Sequence, residues 1–135
     1  MKTAFLDANI LLDFLDGNRR FHDAAVKALR LLIDRDYDIV ISEDILTTVY
    51  YIVKNKPAVL DFFAMIQSQW HIVSFGSAVI EEAIRLRKED PTFDLEDVLQ
   101  ALGARQAHCD LIITNDARFY RCGVETLHVE EFLSS

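Results

Sequence analysis

The sequence predicts an α/β domain of three layers, with helices covering both faces of a mostly parallel sheet. Three observations carry this expectation. Five short β-type runs are spread along the chain, apolar periodicities of helical type lie between them, and the last β runs are nearly unbroken in aliphatic and β-branched residues. Strands buried on both faces have that last property, whereas half-exposed strands alternate.

The first β run, Thr3 to Leu6, leads through Asp7 into "ANILLDFL", read as a helix. Phe21, Ala25, Ala28, Leu29 and Leu32 then recur at i, i+4, i+7, i+8 and i+11, one face of a long helix. Asp38 to Ile41 forms the second β run, and Ile45, Val49, Ile52 and Val53 repeat the helical spacing until Pro57 stops it. Val59, Phe62, Phe63 and Ile66 make the next stripe, followed by the third β run, Ile72 to Phe75. Val79, Ala83 and Leu86 mark a further helix. The last long one carries Leu95, Val98, Leu99 and Leu102, with Ala101, Ala104 and Ala107 allowing close packing. Leu111 to Thr114 ("LIIT") and Thr126 to Val129 ("TLHV") complete the sheet. Strands that alternate with helices are joined by right-handed crossovers, and ligands of such sheets sit beyond the carboxyl ends of the strands.

Composition narrows the field. With 135 residues, 51% of them hydrophobic, residues 1–135 are expected to form one domain around a continuous core. Four Gly and two Pro leave no linker, and no repeat period emerges. No apolar run approaches the roughly 20 residues of a membrane span. Asp7 and Asp13 interrupt the apolar N-terminus, and no small-residue cleavage site follows; a cytoplasmic location is expected. Cys109 and Cys122 form no CxxC pair and read as packed thiols. His22, His71, His108 and His128 are scattered, and adjacent His108 and Cys109 point apart on a helix, which excludes a zinc site. The net charge of -8 argues against nonspecific nucleic-acid binding. It leaves a nuclease open, because a metal site concentrates acids.

Those acids fall in three places. Asp7 follows the first β run, Asp116 follows the fourth, and Asp94, Glu96 and Asp97 open the helix that returns to the fourth. A helix antiparallel to the strands starts at their carboxyl edge, so all three segments share that edge. Each acid alone suits a helix cap, worth about 1 kcal/mol, and Asp94 with Asp97 resembles a variant capping box. A cap needs only one carboxylate, however, and "DLED" supplies three in four residues. Clustered carboxylates resist joint ionisation unless a cation neutralises them. Oxygen ligands without Cys or His suit Mg2+ or Mn2+, and such an ion activates water for attack on a phosphodiester.

"FLDANILLDFL", then "ISEDILTTVYYIVK", then "DLEDVLQALGARQAHCDLIITNDARFY" resemble a PIN domain, most closely the small single-domain group that contains VapC-like toxin ribonucleases. The resemblance spans nearly the whole chain. It implies a five-stranded parallel sheet and Mg2+- or Mn2+-dependent cleavage of RNA at a pocket of acids. Carried over by residue, it implies that Asp7, Asp97 and Asp116 hold metal, with Glu96 as helper. Asn9 and Thr114 match residues that order the pocket, its waters or its substrate. A cognate antitoxin and a homodimer are the partners implied. One position departs: many PIN domains carry a Glu where this chain has Thr48, with Glu43 and Asp44 nearby reading as helix caps.

Arg118, together with Arg19, Arg20 and Arg121, is expected near the pocket rim as a phosphate contact. Tyr50, Tyr51, Phe62, Phe63 and Trp70 read as core or pairing surface. Two alternatives stand beside the nuclease. One is a noncatalytic PIN-like module that binds RNA or protein, favoured by Thr48. The other is an aspartyl-phosphate receiver or phosphatase, which shares an Asp after its first strand but lacks here a second Asp at position 9.

Overall fold

All five expected strands are present in the computed structural model, which describes residues 1–135. In chain order the elements are β1 (Thr3–Leu6), α1 (Ala8–Leu15), α2 (His22–Asp34), β2 (Asp38–Ser42), α3 (Glu43–Ile52), α4 (Lys56–Gln69), β3 (His71–Val73), α5 (Gly76–Glu89), α6 (Leu95–Gln106), β4 (Leu111–Thr114), β5 (Glu125–His128) and α7 (Val129–Leu133). The strands form one sheet in the order β3-β2-β1-β4-β5, and every neighbouring pair is parallel. Because β1 is followed outward by β2 and β3 on one side and by β4 and β5 on the other, chain direction across the sheet reverses between β1 and β4. That reversal is the topological switch point at which open α/β sheets bind ligands.

The centre of the sheet is dry. Phe5 and Leu6 of β1, Ile41 of β2, and Ile112 and Ile113 of β4 are fully buried. α2 packs against both α1 and α7, and α5 packs on α6. A smaller cluster of Val79, Ala83, Val98 and Leu102 joins α5 to α6. Gly103 lets Phe75 approach closely, since an added Cβ would lie 3.0 Å from its ring. No helix is long and apolar enough to cross a membrane.

Several boundaries differ from the sequence expectation, each for a local reason. Pro57 starts a helix as much as it stops one: it lies in the first turn of α4, where its missing N–H costs nothing, and Asn55 caps that turn by accepting from the Ala58 amide at 3.2 Å. β3 ends at Val73 rather than Phe75, because Gly76, at φ +79°, turns the chain into α5. Val129 leaves β5 to begin α7, where His128 and Glu131 form a reciprocal capping box. No helix follows Asp116; a turn does, closed by the Phe119 amide on the Asp116 carbonyl at 3.1 Å.

Ile112 lies in β4 between β1 and β5 with none of its surface exposed. Ile112→Ala is expected to lower the unfolding free energy by about 2–5 kcal/mol and Ile112→Val by about 0.5–1.5 kcal/mol, measured by urea denaturation.

Candidate active site at the carboxyl edge

β1 and β4 run side by side with Leu6 opposite Ile113, and the Asp7 amide adds one more rung by donating to the Ile113 carbonyl at 3.1 Å. This fixes the Asp7 side chain over the switch point. Asp7 occupies the N-cap position of α1, yet its carboxylate caps no amide there. It is 1% exposed and accepts instead from the Thr114 hydroxyl at 2.7 Å and from the Asn9 amide at 3.3 Å. Burial pushes its carboxyl above the usual value, and the hydrogen bonds from Thr114 and Asn9 oppose that shift. The Thr114 hydroxyl accepts in turn from the Asp116 amide at 3.0 Å, so Asp7 and Asp116 are joined through one side chain. Thr114 is thereby engaged within the protein on both sides.

α6 brings the third segment. Asp94 is its N-cap and accepts from the Asp97 amide at 3.0 Å, as the capping pattern predicts. Asp97, in the first turn and half-buried, is pushed up to about 7. Burial is the larger cause, followed by the negative charges of Asp7, Asp94, Asp116 and Glu96. Those charges come from all three expected segments, so the structure brings them together.

The position of the absent glutamate is occupied in an unexpected way. Thr48 donates its hydroxyl to Glu96 at 2.8 Å, so a carboxylate stands there after all, supplied by α6 rather than α3. Glu96 is raised to about 7, by burial first and then by the neighbouring Asp44 carboxyl. Asp44 is therefore no simple cap; it accepts from the buried Gln100 amide at 3.0 Å. Among the arginines, Arg118 is exposed beside the site, its backbone amide donating to Asp116 at 2.9 Å. Arg121 donates to the Thr126 carbonyl at 3.2 Å, Arg20 lies over the Phe21 ring, and Arg19 pairs with Asp13 at 2.6 Å. Of the aromatic group, Phe62 is buried and stacks edgewise on Trp70, whereas Tyr51 is exposed.

Three residues of this neighbourhood had no site role in the sequence reading, Asp13, Asn115 and Gln100, and a fourth, Asp44, was read as a helix cap. Asp13 had one visible sign, a lone acid inside the apolar run "ILLDFL".

The donor set suits a hard divalent cation, being built of carboxylates with neither thiol nor imidazole among them. The buried oxygens Asp44 Oδ1, Gln100 Oε1, Ser42 Oγ and Asn115 Oδ1 also lack protein partners. As placed, no three His, Cys, Asp or Glu side chains form a group that could hold an ion directly. Mg2+ commonly takes one or two carboxylates and keeps its remaining waters, and Asp7 with Asp97 and Asp116 can serve such an ion in part through water.

The raised carboxyls set a pH dependence. Asp97 and Glu96 are free of this penalty near their ordinary values of 3.8 and 4.5, and ionising them in the fold costs stability progressively as pH rises to about 7. The melting temperature of metal-free protein should therefore fall between pH 5 and pH 8, and Asp97→Asn should flatten that fall. Mn2+ at 100 times its dissociation constant should restore about 2.7 kcal/mol at pH 8; thermal scans with and without the ion check both statements.

Comparison with known proteins agrees with this geometry. The PIN domain model matches residues 4–125. The chain is 38% identical to Ribonuclease VapC1 of Aquifex aeolicus over 131 residues, covering 95% of this chain and 91% of that protein. Two solved structures share the fold. VapBC2 from Rickettsia felis, bound to a DNA fragment from its promoter, has a TM-score of 0.70 at 19% identity, covering 93% of this chain and 98% of the other. VapC20 of Mycobacterium tuberculosis, described as a Sarcin-Ricin loop cleaving toxin, has a TM-score of 0.71 at 15% identity, covering 86% and 92%. With the acids gathered at the switch point of a parallel five-stranded sheet and a family match across most of its length, the chain belongs to the PIN domain family.

Proposed function

We propose that the chain is a divalent-metal-dependent endoribonuclease that hydrolyses RNA phosphodiester bonds, acting as the toxin of a toxin–antitoxin pair. The observation that carries this reading is the crowding of Asp7, Asp97 and Asp116 at one switch point, where burial first and the neighbouring charges of Asp7 and Asp116 next raise Asp97. The 38% identical relative carries the name ribonuclease, and structural neighbours are described as toxin–antitoxin complexes.

Asp7, Asp97 and Asp116 would hold Mg2+ or Mn2+, which would neutralise the acids and supply an activated water for hydrolysis of a phosphodiester. Glu96, at about 7, is poised to accept or release a proton near neutral pH. Thr114 and Asn9 fix the orientation of Asp7, so their part is to order the pocket rather than to grip substrate. Arg118, exposed and without a side-chain partner in the protein, meets an RNA phosphate. A cognate antitoxin is the protein partner, and the exposed Tyr51, Ile52, Leu60 and Met65 of α3 and α4 serve pairing into a homodimer. We place the protein in the cytoplasm, where such a partner and RNA are available.

A second reading, a PIN module that binds RNA or protein without cleaving, rests on Thr48. The 2.8 Å contact from Thr48 to Glu96 weighs against it, because the acid missing from α3 is supplied by α6. Membership of the PIN family leaves the aspartyl-phosphate alternative without support.

Wild-type protein incubated with a panel of structured and unstructured RNAs should cleave in Mn2+ and stop on addition of EDTA. Asp7→Asn should lower the rate by about 100-fold or more, at or beyond the upper end of what losing a residue behind a metal ligand costs. Wild-type protein that binds Mn2+ yet cleaves none of the panel would favour the noncatalytic module.

A further inference from the structure

We propose that Asp13 is a positioning residue for the Asp116 loop, acting through Asn115 and kept in place by Arg19. The inference rests on the nuclease reading of the site and names a part of the machinery that lies outside its acids.

Asp13 sits within α1, on a run otherwise apolar, and is 3% exposed. A buried carboxylate without partners is strongly unfavourable, and here both oxygens are used. Oδ1 accepts from Arg19 Nε at 2.6 Å, and Oδ2 accepts from the Asn115 side-chain amide. The Asp13 backbone carbonyl also contacts His22 Nδ1 at 2.8 Å. A carboxylate held this way on a helix is a rigid fixture.

Asn115 is the residue between Thr114 and Asp116. The segment that follows β4 has no helix or strand of its own, and its turn is closed by contacts made by Asp116 itself. Orientation of the Asp116 carboxylate therefore depends on what holds the two preceding residues. Thr114 is tied to Asp7 at 2.7 Å, and Asn115 is tied to Asp13, 102 positions away in sequence. Both ties come from the segment that leaves β1, so one short stretch carries Asp7 and orients the loop of Asp116. Outer groups of this kind orient metal ligands and tune affinity for the ion.

Calorimetric titration of the full-length chain with Mn2+ at pH 7.5, with circular dichroism to confirm folding, tests this. Asp13→Asn and Asn115→Ala should each weaken Mn2+ binding by about 10–100-fold, and the double variant should be no weaker than the worse single one, since both remove one contact. Arg19→Lys should keep most of the affinity and Arg19→Met should lose it. Rates should follow with kcat reduced and KM for RNA unchanged. A folded Asn115→Ala variant that binds Mn2+ within about twofold of wild type would overturn the proposal, even if Asp13→Asn unfolds. So would losses from the two single changes that add. Wild-type protein that binds Mn2+ but cleaves no RNA would sink the nuclease reading and leave this comparison standing, whereas wild type without Mn2+ affinity would sink both.

Discussion

Burial of the Asp7 carboxylate is the demand that the rest of the domain is arranged to meet. At 1% exposure it cannot rely on water, so the fold must provide donors at fixed places. The parallel pairing of β1 with β4 does so: it puts Thr114 directly beside Asp7, and the first turn of α1 adds Asn9. These donors offset only part of the desolvation, and the carboxyl remains raised. A cation near the switch point would remove the remaining penalty. Stability and ion binding are thus two aspects of one electrostatic problem.

The relation between Thr48 and Glu96 shows how a carboxylate is retained when its usual position in the sequence is lost. Thr48 contributes only a hydroxyl, but that hydroxyl orients an acid arriving from the facing helix. Asp44 and Gln100 then build a buried polar group behind it. In this chain the carboxylate beside Thr48 is delivered by α6 rather than by α3.

Much of this was legible in the sequence. Helical spacing located five long helices, and aliphatic runs located β4 and β5, because burial on both faces leaves little choice of residue. The shared edge of Asp7, Asp97 and Asp116 followed from chain direction alone. The short edge strand β3 and the small helix α7 were less visible, since Gly76 and the His128 cap set their limits by local backbone geometry. The tie from Asp13 to Asn115 and that from Thr48 to Glu96 could not be read at all. Each joins residues far apart along the chain, at positions where spacing and composition carry no information about a partner.

The sheet order has a further consequence for the life of the molecule. β1, β2 and β3 are neighbours and are the first three strands to be made, whereas β4, which carries Thr114 and lies against β1, is made after Asp97 and just before Asp116. During vectorial synthesis, which presents N-terminal segments first, β1 waits with one side unpaired and Asp7 without its hydroxyl donor. The Asp7 site can therefore close only after β4 has been made and has docked against β1.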